Sequence, residues 1–160
     1  MRTRSLRVID MAVHNVATIS AQKNITECAL EMRTLHVGSL VVIDDSNKPI
    51  GMITDRDIAI EVVALNRDPD SATVGEVMTS PVITATSQEG MVTALARMRE
   101  FGIRRLPIVD EEGKLVGVIS NSNLVEQLSE LLNSLVLNIH SSKTREVTLR
   151  GTQKDRDDVL

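Results

Sequence analysis

The chain contains one unit twice, and this internal repeat limits the folds that it can adopt. With a constant offset of 66 positions, residues 8–58 align without a gap on residues 74–124. Eleven of the 51 pairs are identical, among them Leu40/Leu106 and Gly51/Gly117. A solenoid needs three or more stacked units to bury its faces. Two copies of a long unit therefore predict two halves packed about a pseudo-twofold axis, with any groove between them present twice.

The composition predicts an aliphatic core and argues against nucleic acid as a partner. Phe101 is the only aromatic residue, so a bound purine ring would have to lie between aliphatic side chains. The formal net charge is −4, and no basic stripe supplies the attraction that nucleic-acid binding needs. We therefore expect no nucleic-acid partner.

Cysteine use and hydropathy predict a cytoplasmic protein. Cys28 is the only cysteine, so the chain lacks the disulfide framework of small secreted proteins. The basic start from Met1 to Arg7 is not followed by the apolar segment of a signal peptide. No run approaches the roughly 18 apolar residues of a membrane span. We expect a cytoplasmic location and no membrane partner.

Each copy has the same predicted order of elements, β-α-β-β-α, which is an α/β (α+β) fold class. Apolar residues recur at helical spacing in residues 25–35 and again in residues 91–101. Thr86 and Glu89 have the spacing of a capping box, which would begin the second of these helices. Residues 40–44 and 106–110 predict buried strands, each followed by a polar turn and another strand. A last helix begins near Thr54 or Ser120.

The two copies differ after their last helix. Asn66–Pro69 is a proline-bearing linker, which gives a first repeat of residues 8–66 and a second of residues 74–132. An apolar stripe continues from Leu124 to Ile139 and would pack on the chain's own fold, on a symmetry mate or on a partner protein. Residues 133–160 are predicted to form a helix extension and then, from His140, a mobile tail with a short ordered piece at Val147–Leu149.

A hydroxyl and a polar side chain three residues apart stand at the end of the third strand in each copy. Thr54 and Asp57 hold these positions in the first copy, and Ser120 and Asn123 in the second. Backbone N–H groups at a helix start favour phosphate, and a carboxylate there can accept from two ribose hydroxyls. The same pair could equally be a helix cap that binds nothing. The motif alone leaves both interpretations open.

The ordered set of motifs resembles the CBS domain, and the duplicated unit resembles a Bateman module. The resemblance covers roughly residues 8–132 and rests on the Val-x-Thr segments, the helices with Met32 or Met98, the stretch Ile103–Asp110 and the strand-end motif. It implies two tandem units packed through their sheets, with two clefts for adenosine-containing ligands. It implies no catalysis and no required cofactor. AMP, ADP or ATP would be the ligand, and NAD or S-adenosylmethionine are further candidates.

Carried over to this sequence, the resemblance implies a first cleft with a full set of ligand contacts. Its residues are Thr54 for phosphate, Asp57 for ribose, Val82 and Ile83 along the base, and Arg104 and Arg105 over the phosphates. Met52 is a further candidate for the lining, because it stands two residues before Thr54. Adjacent arginines are otherwise typical of solvated surface, which is the alternative for this pair.

The second cleft departs from the family pattern. Its residues would be Val16, Ala17, Val37, Gly38, Ser120 and Asn123. The amide of Asn123 cannot make the charge-assisted hydrogen bond of a carboxylate, and Gly38 with Ser39 replaces the two arginines. We expect this cleft to bind weakly, to bind something else, or to stay empty.

Metal and catalytic sites have little support in the sequence. The three histidines and Cys28 lack the spacing of zinc ligands, so we expect no metal site. Asp55 and Asp57 could hold a hard cation, but helix starts carry such residues anyway. No Ser-His-Asp order, Cys-His order or phosphate loop is present.

We interpret the chain as a stand-alone CBS pair, not an enzyme, that senses an adenine nucleotide and signals to an effector protein or to its own dimer partner. Two alternatives stay open: a structural dimerisation module without a ligand, and a metal-assisted nucleotide hydrolase. Apolar faces on residues 25–35, 91–101 and 124–139 predict a twofold homodimer, because exposed patches of that size are rare on monomers.

Overall fold

A computed structural model describes the backbone of residues 6–157 and the side chains of residues 6–141. The chain divides into two compact units, Met1–Asn121 and Ser122–Leu160. Both sheets belong to the first unit, and the second unit is helical.

Repeat one forms a three-stranded sheet with a helix between its first two strands. Its elements are β1 (Thr18–Ser20), α1 (Ile25–Leu35), β2 (Ser39–Ile43), β3 (Pro49–Thr54) and α2 (Asp55–Ile58), which continues into a π-helical turn (Ala59–Val63). β1 pairs in parallel with β2, and β2 pairs antiparallel with β3. The parallel pair needs a crossover, which α1 supplies, whereas the antiparallel pair closes through a short polar turn.

Repeat two forms a second sheet with the same strand order. Its elements are α3 (Val74–Val77), β4 (Ala85–Thr86), α4 (Met91–Phe101), β5 (Arg105–Val109), β6 (Leu115–Ser120) and α5 (Asn121–Asp157). The hairpin register shifts between Val42 and Ile43 in one sheet and between Ile108 and Val109 in the other, which are equivalent positions in the repeat. The predicted fold class and β-α-β-β-α order are confirmed.

The segment that leads into each repeat hydrogen-bonds to the third strand of the other repeat. Thr79 and Met52 form an antiparallel bridge with N···O distances of 2.8 and 3.0 Å. Val13 and Val118 form the equivalent bridge at 2.9 and 3.0 Å. Each repeat thus extends the sheet of the other, and this reciprocal pairing brings the start of repeat two against β3.

Glycine permits the close approach at both bridges. A Cβ atom at Gly51 would lie 3.1 Å from the carbonyl oxygen of Thr79. A Cβ atom at Gly117 would lie 3.3 Å from the carbonyl oxygen of Val13. A side chain at either position would push the crossing segment away from the strand, which explains why the sequence repeat keeps this pair identical.

The core is aliphatic in both repeats, as the composition predicts. Leu40 and Ile53 on the first hairpin are fully buried, and so are their counterparts Leu106 and Ile119. The two long helices bury equivalent faces, which consist of Ile25, Cys28 and Met32 on α1 and Met91, Ala94 and Met98 on α4.

Helix α4 begins about one turn later than the sequence predicted. The capping box expected from Thr86 and Glu89 is wrong, because Thr86 lies in β4 and the N-cap of α4 is Gly90 without a side-chain cap. The counterpart of Gly90 in repeat one is Asn24, whose side chain accepts from the backbone N–H of Glu27 at 2.8 Å. A hydroxyl and a carboxylate at the right spacing did not mark the start here, because β4 still extends through Thr86.

The second unit is formed by α5, which continues through the segment predicted to be a mobile tail. The helix extends to Asp157, so the backbone from His140 is helical and includes Val147–Leu149. No proline interrupts residues 121–157, and Leu, Glu, Lys, Arg and Gln are good helix formers. A polar composition is therefore compatible with a solvated helix. The last predicted tail residues, 158–160, lie outside the described residues. Among residues 6–157, no helix is both long and apolar enough to cross a membrane.

Candidate functional site

Thr54 and Asp57 form a capping box where β3 passes into α2. Asp57 Oδ2 accepts hydrogen bonds from Thr54 N at 2.8 Å and from Thr54 Oγ1 at 2.7 Å. Thr54 Oγ1 in turn accepts from Asp57 N at 3.2 Å. Both residues are half-buried. Within the described residues, Asp57 Oδ1 accepts no hydrogen bond, so this oxygen can accept from a ligand while the cap stays intact.

A cavity of about 220 Å³ opens beside this capping box. Its lining contains every residue predicted for the first cleft, which are Met52, Thr54, Asp57, Val82, Ile83, Arg104 and Arg105. Thr79, Pro81 and Ile103 also line it, although the sequence did not predict them as part of the cleft. Each of these three is within three residues of an assigned position, which is the signal that could have found them. We call this cavity the first cleft below.

The apolar wall of the first cleft depends on the bridge between the repeats. Met52 belongs to β3 and pairs with Thr79, and the extended chain after Thr79 carries Val82 and Ile83. Both of these aliphatic residues are half-buried and line the cavity. A flat apolar ring can therefore contact aliphatic side chains here, without an aromatic partner.

Arg104 and Arg105 add positive charge to the first cleft. Arg104 is exposed, whereas Arg105 is the first residue of β5 and is half-buried. Within the described residues, neither guanidinium forms a salt bridge. Guanidinium groups bind phosphate and carboxylate through paired charge-assisted hydrogen bonds. The first cleft thus offers an anion site next to an apolar wall and a carboxylate.

Repeat one lacks this charge at the equivalent positions, Gly38 and Ser39. The backbone is the same in both repeats, because Gly38 O accepts from Asp55 N at 3.1 Å and Arg104 O accepts from Asn121 N at 3.1 Å. A Cβ atom at Gly38 would lie 3.0 Å from Asp55 Oδ2, so an acidic group stands close to this position. At these positions the two repeats therefore have the same backbone hydrogen bond but a different charge.

The residues predicted for the second cleft divide between the two units. Four of them are half-buried in the first unit, namely Val16, Ala17, Val37 and Gly38. Ser120 is buried, with 8% of its surface exposed. Asn123 belongs to the second unit. The second cleft therefore stays a prediction.

The residues considered for metal binding have other surroundings. Within the described residues, no group of three or more His, Cys, Asp or Glu side chains is arranged to hold a metal ion. His36 is the C-cap of α1, with a left-handed φ of 54°, and His14 Nδ1 lies 3.2 Å from Val116 O. Burial raises the pKa of the Cys28 thiol to about 11, so this thiol is protonated at neutral pH.

Asp55 and Asp57, the pair considered for a hydrolase, do not face the same space. Asp55 is exposed, and its Oδ1 accepts from the backbone N–H of Arg56 at 2.8 Å. Only Asp57 belongs to the lining of the first cleft. Two-carboxylate metal chemistry would need both groups at one point.

Family comparison agrees with the repeat. Residues 8–64 and 74–130 each match the family described as the CBS domain. The chain belongs to the CBS domain family. The CBS pair is 37% identical over 134 residues to the CBS domain-containing protein YhcV of Bacillus subtilis, a match that covers 82% of this chain and 94% of the relative.

A longer relative and a solved structure are also similar to this CBS pair. An uncharacterized protein of Methanopyrus kandleri is 37% identical over 123 residues, which is 77% of this chain but only 63% of that relative. The crystal structure of the CBS domain pair of protein MJ0100, in complex with 5′-methylthioadenosine and S-adenosyl-L-methionine, has a TM-score of 0.70 and 26% identity. That match covers 79% of this chain and 98% of the other.

Proposed function

We propose that this CBS pair is a regulatory module that binds an adenosine-containing nucleotide in the first cleft and signals its presence to a partner. One observation carries the proposal: a carboxylate, a hydroxyl and two guanidiniums that form no salt bridge within the described residues surround one cavity with an aliphatic wall. These groups match the three parts of a nucleotide, which are the base, the ribose and the phosphates.

Each part of the nucleotide has a proposed contact. The purine contacts Val82 and Ile83, and a ribose hydroxyl donates to Asp57 Oδ1, because Oδ2 is already used by the cap. Arg104 and Arg105 bind the phosphates. Thr54 Oγ1 donates to Asp57 Oδ2 within the capping box, so it must give up this bond before it can donate to a phosphoryl oxygen. At about 220 Å³ the cavity is small, which suits enclosure of the nucleoside with the phosphates beside the exposed Arg104.

A solved structure supports an adenosine-containing ligand, and the positive charge of the first cleft supports a ligand with phosphate groups. The pair of MJ0100 binds 5′-methylthioadenosine and S-adenosyl-L-methionine, which share the adenosine moiety. In this chain the two arginines favour a phosphorylated ligand, so we propose AMP, ADP or ATP, with NAD, which also carries phosphates, before S-adenosylmethionine, which carries none. No cofactor is required for binding.

The alternatives have weaker physical support. A metal-assisted hydrolase would use Asp55 with Asp57, but only Asp57 lines the cavity. A purely structural module would account for the two arginines only as solvated surface charge, and it would not explain why they line one cavity with Asp57 and Thr54. We therefore propose a binding module rather than an enzyme.

We also propose that the protein works as a homodimer that contacts an effector protein. The helix faces named from the sequence need a correction, because Ile25, Cys28 and Met32 of α1 are buried within the chain itself. Apolar side chains stay exposed elsewhere on the two long helices of the first unit, namely Leu30, Leu35, Val92, Leu95 and Phe101. Such residues are suited to contact a second copy or an effector.

Titration calorimetry with AMP, ADP, ATP and adenosine tests the assignment to the first cleft. We expect one saturable nucleotide site per chain, because Gly38 and Ser39 replace the arginines at the equivalent place. Adenosine should bind more weakly than the phosphorylated ligands, since it has no anionic group. Two equivalent sites per chain would contradict the assignment to this cleft alone. Turnover of ATP with magnesium would favour the hydrolase instead.

A further inference from the structure

The face of α5 between Val125 and Ile139 is apolar and exposed. Seven of its apolar residues are half or more exposed, namely Val125, Leu128, Leu131, Leu132, Leu135, Val136 and Ile139. Helices draw most of their stability from packing an apolar face, and isolated helices are marginal in water. A helix with this face uncovered therefore needs a partner.

The apolar residues follow a heptad pattern. Val125, Leu132 and Ile139 are seven residues apart and occupy the a positions, and Leu128 and Leu135 occupy the d positions. Two of the three a residues, Val125 and Ile139, are β-branched, and in parallel coiled coils β-branched residues at a with Leu at d favour two strands. Leu131 at g and Val136 at e widen the stripe beyond the a and d positions, so a paired helix would cover a face broader than a minimal seam.

The charges of this segment fit a second copy of the same helix. Residues 121–142 contain no Lys or Arg, so the segment lacks the basic face that would attract an anionic membrane or nucleic acid. Its two acidic residues, Glu126 and Glu130, fall at b and f, away from the seam. The positions flanking the seam are uncharged from Ser122 to Asn138. Pairing two identical helices therefore brings no like charges together.

Three serine hydroxyls of α5 already donate hydrogen bonds to backbone carbonyl oxygens of the same helix. Ser129 Oγ donates to Val125 O at 2.8 Å, Ser134 Oγ to Glu130 O at 2.9 Å, and Ser141 Oγ to Leu137 O at 2.7 Å. These hydroxyls make local bonds that do not require a partner. What a partner must cover is the apolar seam.

We propose that α5 pairs in parallel with α5 of a second copy through the seam formed by Val125, Leu128, Leu132, Leu135 and Ile139. Full burial of a leucine side chain removes on the order of 100 Å² of apolar surface, so the seven exposed residues can remove roughly 400 Å² per copy. That is about half of what each partner of a standard stable interface buries. The helix pair is therefore one part of the homodimer proposed above, and it does not depend on nucleotide binding.

Cysteine cross-linking tests the pairing in the full-length protein. In a parallel pair about a twofold axis each d residue meets its own copy, so Leu128→Cys and Leu135→Cys should both form disulfide-linked dimers. Leu137→Cys is the matched control, because Leu137 is also exposed but occupies position f. We expect the d-position variants to cross-link on the order of tenfold faster than the control under mild oxidation, since only they bring Cβ atoms within disulfide range. The native Cys28 is buried and protonated, so it should not react.

Equal cross-linking rates for the three variants would overturn the proposal. Cross-linking at only one of the two d positions would overturn the parallel arrangement, because an antiparallel pair can place only one level on its axis. Light scattering on the reduced proteins separates the two proposals. A dimer without cross-linking at residues 128 and 135 would contradict the helix pair alone, whereas a 17.5 kDa monomer would contradict the homodimer as well.

Discussion

Replacing Asp57 by alanine should lower the affinity for AMP, ADP and ATP roughly 10- to 100-fold, because the loss of a charged hydrogen-bond acceptor costs about 1.5–3 kcal/mol. Asp57 also closes the capping box with Thr54, so the variant should lose about 1 kcal/mol of stability. Titration calorimetry measures the first effect, and thermal denaturation the second. Wild-type affinity in Asp57→Ala would contradict the ribose assignment.

The capping box of α3 provides the control that separates these two effects. Glu76 accepts from Thr73 N at 2.8 Å and from Thr73 Oγ1 at 3.2 Å, and the first of these bonds lowers the pKa of the Glu76 carboxyl. This box also precedes a four-residue helix, and Glu76 is not part of the first cleft. Glu76→Ala should lower the melting temperature yet keep nucleotide affinity within about twofold of wild type. Equal losses of affinity in the two variants would mean that Asp57 affects binding only through the stability of the fold.

The double variant Arg104→Ala/Arg105→Ala should reduce ATP affinity by roughly 100-fold or more, because two charge-assisted hydrogen-bond donors to phosphate are removed. Adenosine affinity should change by less than about threefold, since adenosine has no phosphate. Neither arginine forms a salt bridge within the described residues, so the melting temperature of the ligand-free protein should change little.

Arg99 is the matched control for the loss of positive charge. It is exposed in the last turn of α4 and lies outside the first cleft. Arg99→Ala should leave ATP affinity within about twofold of wild type, because an exposed charge away from the ligand is screened by salt. If the double variant lost affinity for adenosine and ATP equally, the arginines would shape the cavity rather than bind phosphate.

The internal repeat made most of the fold and of the first cleft predictable. A constant offset fixed equivalent helices and hairpins, and the resemblance to the CBS domain then assigned Thr54, Asp57, Arg104 and Arg105 to one cleft. The structure brings these four residues together around one cavity. Their role in binding stays a prediction, because a lining residue is not yet a contact.

The predictions that failed or stayed open depended on local sequence patterns that are compatible with two different structures. Thr86 and Glu89 have the spacing of a helix cap, but Thr86 pairs in β4 and the helix begins after Gly90. The polar sequence after His140 suggested a mobile chain, although residues without proline and with good helix propensity can extend a helix. Thr54 and Asp57 left two interpretations open, and the capping geometry is compatible with both because one carboxylate oxygen accepts both bonds.

Thermal denaturation of the wild-type protein with AMP, ADP, ATP, NAD and S-adenosylmethionine tests the central claim most directly. A ligand at 100 times its dissociation constant stabilises the native state by roughly 2.7 kcal/mol, which for a chain of this size raises the melting temperature by about 5–10 °C. We expect such a rise with at least one adenine nucleotide, and a larger rise with phosphorylated ligands than with S-adenosylmethionine. A melting temperature that none of the five ligands changes at millimolar concentration would contradict nucleotide binding and favour a structural dimerisation module.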